Sequence, residues 1–153
     1  MILSVASSIV IELHMFSDVS STGYGAVRYL RVKGNGKVHV SIMMGKSRIA
    51  PIKVVTIPRL ELAAAVVSVK LAQQILKELE FRVNNTIYHT DSSTVLHYLN
   101  NSKARFPVYV ANRVKMIHDY TQPSQWKYVN TKNNPADFAS RGANGNQVSE
   151  CSL

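Results

Sequence analysis

The stretch Leu13-His14-Met15-Phe16-Ser17-Asp18-Val19-Ser20-Ser21-Thr22-Gly23-Tyr24-Gly25-Ala26-Val27 constrains this chain more than any other. An apolar run ends in a carboxylate, a turn of small residues with two glycines follows, and a second apolar run begins. That pattern predicts a β-hairpin. Its first strand, about Val10 to Asp18, holds Asp18 out of the core at one edge of a sheet. A lone acid in such a strand is costly unless it is paired, hydrogen-bonded or bound to a cation. The placement of the other acids decides which of these applies.

Tyr24 to Val32 reads as the second strand. Lys33-Gly34-Asn35-Gly36-Lys37 sets an Asn-Gly pair between two strand-like runs, a strong hairpin signal. Val38 to Ile49 reads as the third strand, loosened near Gly45. A connector with two prolines, Pro51 and Pro58, follows. Pro58 suits the first turn of a helix. The helix, about Arg59 to Glu80, has Leu60, Ala64, Val67, Leu71, Ile75 and Leu79 on one face, in steps of three and four. Thr86 to Asp91 reads as a short strand ending in an acid, and Thr94 to Leu99 as a short helix. Asn100 to Arg105 is a polar, basic loop. Phe106 to Tyr120 is helical, with Phe106, Val110, Val114 and Ile117 on one face, and Pro123 breaks it. Gln125 to Val129 reads as a fifth strand. Pro135 starts a last helix that Gly142 ends. The order β-β-β-α-β-α-α-β-α predicts an α/β domain: a five-stranded mixed sheet, three strands antiparallel, covered by helices.

The chain of 153 residues holds only nine acids. Four stand at the ends of elements: Asp18 on the first strand, Glu61 in the first turn of the long helix, Asp91 at the end of the fourth strand, and Asp137 in the first turn of the last helix. Each has an ordinary alternative. Glu61 would be favoured by a helix N-terminus, and Asp91 could cap the helix after it. Taken together they suggest a cation site, and oxygen-only ligands favour magnesium or manganese over zinc.

The rest of the charge is basic, with a net +9. Between Asp18 and Glu61 there is no acid, yet there are eight bases: Arg28, Arg31, Lys33, Lys37, Lys46, Arg48, Lys53 and Arg59. Lys103, Arg105, Arg113 and Lys115 lie between Asp91 and Asp119. An anionic partner is implied, with nucleic acid the first candidate. No apolar stretch reaches the ~18 residues of a membrane span. Met1 to Ile11 is apolar but has no basic n-region, and Glu12 interrupts it, so it does not read as a signal peptide. The single cysteine, Cys151, excludes an intrachain disulfide and a cysteine-based zinc site, and it fits a reducing compartment. The expected location is intracellular, not secreted. His89 and His97 read as ordinary strand and helix residues, and His14, Met15, Met43 and Met44 as sheet packing.

The chain resembles a type 1 ribonuclease H domain, and more narrowly the ribonuclease H region of BEL/Pao retrotransposon polyproteins. The motifs that carry the resemblance are Phe16-Ser17-Asp18-Val19-Ser20 with Gly23-Tyr24-Gly25-Ala26, Ile57-Pro58-Arg59-Leu60-Glu61-Leu62-Ala63-Ala64, and His89-Thr90-Asp91-Ser92. Val110-Ala111-Asn112-Arg113-Val114, Trp126-Lys127-Tyr128-Val129 and Asn134-Pro135-Ala136-Asp137-Phe138-Ala139-Ser140-Arg141-Gly142 continue it. It spans about residues 12 to 142.

The resemblance implies an endoribonuclease that cuts the RNA strand of an RNA/DNA hybrid with two Mg2+ or Mn2+ ions. Asp18 would bridge both, Glu61 and Asp91 would complete one site, and Asp137 the other. Gly23, Ser92, Ser93, Asn112, Arg113, Lys132 and Asn133 would lie near the substrate backbone. The domain would run from 10 to 142, with 143–153 a polar, flexible tail. Its partners would be the hybrid and the reverse transcriptase and integrase regions of the same polyprotein, with no membrane. Two departures stand out. The loop before Asp137 reads Lys132-Asn133-Asn134 and has no histidine, and the segment from Asp91 to Asp137 leaves little room for a basic protrusion. A catalytically inactive nucleic-acid-binding module is the competing reading. An aspartic peptidase is disfavoured because Asp18-Val19-Ser20 and Asp91-Ser92-Ser93 lack the required glycine. A DDE-type integrase is disfavoured because Glu61 falls between the first two aspartates.

Overall fold

A computed structural model describes residues 9–20, 23–34, 36–49, 56–101 and 104–130. Its elements are β1 (Val10–Ser20), β2 (Gly23–Gly34), β3 (Lys37–Ile49), α1 (Ile57–Glu78), β4 (Asn85–Thr90), α2 (Ser93–Asn100), α3 (Val108–Tyr120), a 3-10 turn (Pro123–Gln125) and β5 (Trp126–Tyr128). The helix expected from Pro135, with Asp137, Lys132, Asn133 and the tail 143–153, lies outside the described residues.

The three antiparallel strands form as their alternation demands. β1 runs beside β2 from the Val10–Lys33 pair to the Ser20–Gly23 pair. The Gly34–Lys37 pair closes the β2–β3 hairpin. Gly36 takes a φ of 72°, a conformation that a side chain would resist. The expected loosening of β3 is a bulge beside Met43: Arg28 pairs with Met44, but Tyr29 pairs with Ile42.

The sheet order is β3-β2-β1-β4-β5, so β1 is the central strand and not an edge. The physical reason is the return path. After α1 the chain comes back parallel to β1 as β4, pairing Glu12 with Asn85 through to Ser17 with Thr90. A parallel partner of this kind needs a long crossover, which α1 supplies.

Alternation along β1 sends Leu13 and Met15 into the main core, both fully buried. They meet Leu62, Ala65, Val69 and Ala72 of α1, each also fully buried. The buried surface of α1 is broader than one stripe. Leu60, Ala64, Leu71 and Ile75 are buried as the spacing predicts, whereas Val67 and Leu79 are only partly so. The helix is covered by the sheet and by α3, which widens the face it must bury. Small residues at Ala64, Ala65 and Ala72 let these layers approach. Burying each leucine or valine contributes roughly 1.5–3 kcal/mol.

Helix ends differ from the sequence expectation by one or two residues, each for a local reason. α1 starts at Ile57 because Pro58 sits in its opening positions. It stops at Glu78, where the Leu79 N–H donates to the Ile75 carbonyl at 3.0 Å. α3 begins at Val108 because Pro107, its cap residue, has a ψ of 154° and disfavours helical backbone at the residue before it, Phe106. Phe106 instead packs edge-on against Tyr98, with ring centres 5.1 Å apart. Val110, Val114 and Ile117 form the expected buried face of α3. Trp126 of β5 stacks on Tyr88 at 4.8 Å, and its indole N–H donates to Thr121 Oγ1 at 2.9 Å, so the buried ring keeps no orphaned donor.

Candidate active site

The parallel seam between β1 and β4 ends at the pair Ser17–Thr90. The next residue of each strand path is an acid, Asp18 and Asp91. Asp18 therefore holds a backbone position on the central strand, opposite Gly25 of β2. Asp91 follows the last residue of β4 directly and is partly exposed. Ligand sites in open α/β sheets lie at carboxyl ends of this kind.

Glu61 reaches the same end from α1. The helix starts at Ile57, so Glu61 is its fifth residue and stands beyond the first turn, where the sequence reading had placed it. The helix N-terminus therefore accounts for little of its carboxylate, because that field fades within one turn. What holds Glu61 is Ser92. The Ser92 hydroxyl donates to Glu61 Oε2 at 2.5 Å and accepts the Val95 N–H at 3.1 Å. The Ser92 N–H in turn donates to Thr90 Oγ1 at 3.1 Å. Ser92 is thus the cap of α2, a role the sequence had offered to Asp91, and its buried hydroxyl is spent inside the protein.

The electrostatics of Glu61 follow from these neighbours. Burial raises its pKa, the Ser92 hydrogen bond pulls the other way, and the nearby charge of Asp91 pushes it up again. The net result lies above the ordinary carboxylate value. A half-buried carboxylate beside a second one is under strain that a cation would relieve. Oxygen donors of this kind suit Mg2+ or Mn2+. Among the described residues, no three His, Cys, Asp or Glu side chains gather into a metal cluster.

The remaining sequence candidates lie on β2, α2 and α3. Gly23 opens β2, opposite Ser20 and Ile49. Ser93, the first residue of α2, and Asn112 on α3 are exposed. Arg113 lies over the ring of Tyr109, 3.4 Å from its centre. Sequence reasoning missed Tyr109, which carries no signal beyond its place in a helix, and gave Thr90 no role beyond its place in the His89-Thr90-Asp91-Ser92 motif. It also missed the bond from Ser92 to Glu61, whose partners are 31 residues apart.

His89 belongs to packing. Its ring stacks on Phe16 at 4.3 Å and on His14 at 5.1 Å. Its Nε2 lies 2.9 Å from His14 Nδ1. Burial, with the charges of His14 and Lys127, lowers its pKa to about 4, so the ring is neutral at physiological pH.

The family model for the Pao retrotransposon-like RNaseH-like domain matches residues 1–92. A search of curated proteins finds no match to the chain. Among solved structures, the N-terminal RNase H domain of a Mycobacterium tuberculosis protein superposes with a TM-score of 0.57 at 12% identity, covering 93% of this chain and 99% of that one. LC11-RNase H1, solved with an RNA/DNA hybrid, gives a TM-score of 0.52 at 12% identity, covering 87% of this chain and 95% of that one. RNase H1 from the archaeon Halobacterium salinarum gives 0.52 at 12% identity, with coverage of 87% and 98%. At such identities the likeness is one of fold, and that fold is the mixed five-stranded sheet of the RNase H domains. With the family match over the first three strands, α1 and β4, the chain belongs to the Pao retrotransposon-like RNaseH-like domain family.

Proposed function

We propose that this domain is an endoribonuclease that hydrolyses the RNA strand of an RNA/DNA hybrid, with Mg2+ or Mn2+ as cofactor. Glu61 and Asp91 would hold one ion, Asp137 a second, and Asp18 both. When bound, the ions supply an activated water and neutralise charge on the departing 3′ oxygen. The observation that carries the reading is Glu61: half-buried, hydrogen-bonded to Ser92 and raised in pKa beside Asp91. Such a carboxylate is held in place before any cation arrives, so little ordering remains to be done on binding.

The protein's own residues do the remaining work. Ser92 orients Glu61. Arginines and lysines hold the phosphates through salt-sensitive contacts. Contacts to 2′-hydroxyls would distinguish RNA from DNA. Gly23, Ser93, Asn112, Arg113, Lys132 and Asn133 are the proposed backbone contacts. We assign the working unit to residues 10–142, acting inside the cell with the reverse transcriptase and integrase regions of one polyprotein. Among the described residues no helix is long and apolar enough to cross a membrane.

Cleavage of a labelled RNA/DNA hybrid by wild type and Asp18→Asn, with and without Mg2+ or Mn2+, tests the reading. The expected result is metal-dependent cutting of the RNA strand by wild type and none by the variant. A folded wild type that binds hybrid without cutting it in either metal would overturn the enzyme and leave the inactive binding module.

A further inference from the structure

β3 is the outer strand of the sheet, and among the described residues it pairs with β2 alone. Every second residue of such a strand turns its N–H and C=O away from its neighbour, where another strand can take them up. Natural edges are blunted by proline, by inward-pointing charge, by a bulge or by short length. β3 has 13 residues and no proline. Its ladder runs unbroken from the Gly34–Lys37 pair to the Tyr29–Ile42 pair, and the bulge comes only after that. Lys37, Val38, His39, Val40 and Ser41 are all exposed, so both faces of this stretch are open. Val38 and Val40 keep 50% and 46% of their surfaces in solvent.

The exposed side chains alternate in kind as well as in direction. Val38 and Val40 share one face with Lys33 and Arg31, their partners on β2, and Lys37, His39 and Ser41 take the other. The strand therefore presents an apolar row on one face and a polar, basic row on the other. Its charge is one-sided: β3 contains Lys37, Lys46 and Arg48 and no acid. Beside the valines, Lys33 and Arg31 share the single carboxylate of Glu12, at 3.5 and 3.6 Å. Lys37 pairs with no carboxylate among the described residues. A second copy of the chain would bring the same bases to this edge, and another +9 of net charge with them. An acidic strand meets it with the opposite sign, and opposite charges facing across a strand pair stabilise it.

We propose that residues 37–42, the open edge of β3, dock an extended acidic segment of a partner protein, which adds to the five-stranded sheet as one more strand. Its backbone completes the ladder on the outer side of β3. Apolar side chains lie opposite Val38 and Val40, and acidic ones opposite Lys37 and His39, so the ligand is an alternation of apolar and acidic residues. The acid opposite Lys37 supplies the charge that the edge lacks, and the acid opposite His39 accepts an imidazole N–H. The edge is remote from the candidate active site: Asp18 stands opposite Gly25, and Gly25 opposite Ser47, at the other end of β3. A docked strand leaves the carboxylates open, and the inference does not depend on the chain being a nuclease.

The test uses two short labelled peptides, one alternating glutamate with valine and one alternating lysine with valine. Fluorescence anisotropy against the full chain reads affinity, and hydrogen exchange of the β3 amides reads the place of binding. The glutamate peptide is expected to bind saturably, more weakly as salt is raised, and to slow exchange within residues 37–42. The lysine peptide is expected not to bind. Lys37→Glu, and Val38→Ser combined with Val40→Ser, are each expected to weaken the glutamate peptide by about 2–5-fold or more. All three positions are exposed, and thermal melting checks that the variants fold. Equal binding of the two peptides, or a Lys37→Glu chain that binds like wild type, would overturn the acidic partner. A glutamate peptide that does not bind, or that binds without slowing exchange at residues 37–42, would overturn the docking edge. Exchange there that slows with protein concentration alone would assign the edge to a second copy, and exchange that slows with an RNA/DNA hybrid would assign it to nucleic acid; either overturns the proposal.

Discussion

Glu12 and Glu61 are two largely shielded acids on the same framework, one at each end of the β1–β4 seam, and the protein treats them in opposite ways. Glu12 Oε1 is ringed by Lys33 Nζ at 3.5 Å, His14 Nε2 at 3.5 Å and Arg31 Nη1 at 3.6 Å. Burial would raise its pKa, but His14 and Lys33 outweigh burial, and the net value lies below the ordinary 4.5. Glu61 has a hydroxyl and a second acid for neighbours, and its pKa lies above 4.5. The fold supplies its own cations to the first carboxylate. It supplies none to the second among the described residues. The contrast separates an acid whose charge the fold compensates from one whose charge it leaves uncompensated among the described residues.

The largest effect expected from this comparison is on activity. Ser92→Ala removes the donor that orients Glu61 and should lower hybrid cleavage by about 10–100-fold, the usual cost of losing a partner to a metal ligand. It should also shift the acid limb of the pH–rate profile to higher pH, because the hydrogen bond that lowers the Glu61 pKa is gone. Ser92→Thr keeps the hydroxyl and the helix cap, and it should restore both rate and profile. A Ser92→Ala enzyme with unchanged rate and profile would break the contrast at its active end.

Stability gives the second contrast. Glu12 has a folded pKa below its unfolded value, so its contribution is present above the carboxylate range and is lost as pH falls through the folded value. Glu12→Gln should therefore cost about 1 kcal/mol at neutral pH and nothing in acid. Melting temperature against pH checks this. Equal destabilisation at both pH values would mean that packing, not charge, holds Glu12.

The smallest effect carries the opposite sign. Glu61 has a folded pKa above its unfolded value. Its contribution is present below the carboxylate range and is lost as pH rises through the folded value. In metal-free buffer at neutral pH, Glu61→Gln should melt slightly higher than wild type, with the difference vanishing in acid. Added Mg2+ should raise the melting point of wild type more than that of the variant. A Glu61→Gln protein that melts lower than wild type at neutral pH would make Glu61 a second Glu12.

The order and type of the elements were legible in the sequence because they rest on short-range physics. Side-chain alternation marks β1 to β3, the spacing of three and four marks α1 and α3, and Pro58 and Gly36 act within a turn of themselves. Asp91 could be read for the same reason, since it directly follows β4, whereas β1 continues past Asp18 to Ser20 and Glu61 lies two residues further into its helix than the spacing placed it. Pro107 is equally local, and it sets the start of α3 against the apolar spacing that includes Phe106.

Only the tertiary structure decided what depends on the crossover through α1. That crossover makes β1 central, brings Asp91 to the backbone neighbourhood of Asp18, and sets Ser92 against Glu61. The meeting of the Arg59 guanidinium with the Tyr109 ring, 4.9 Å from its centre, belongs to the same class, because it depends on how α1 packs on α3. Pattern along a chain fixes which face a residue takes. Which distant residue it then meets depends on the packing of whole elements, and no local signal carries that.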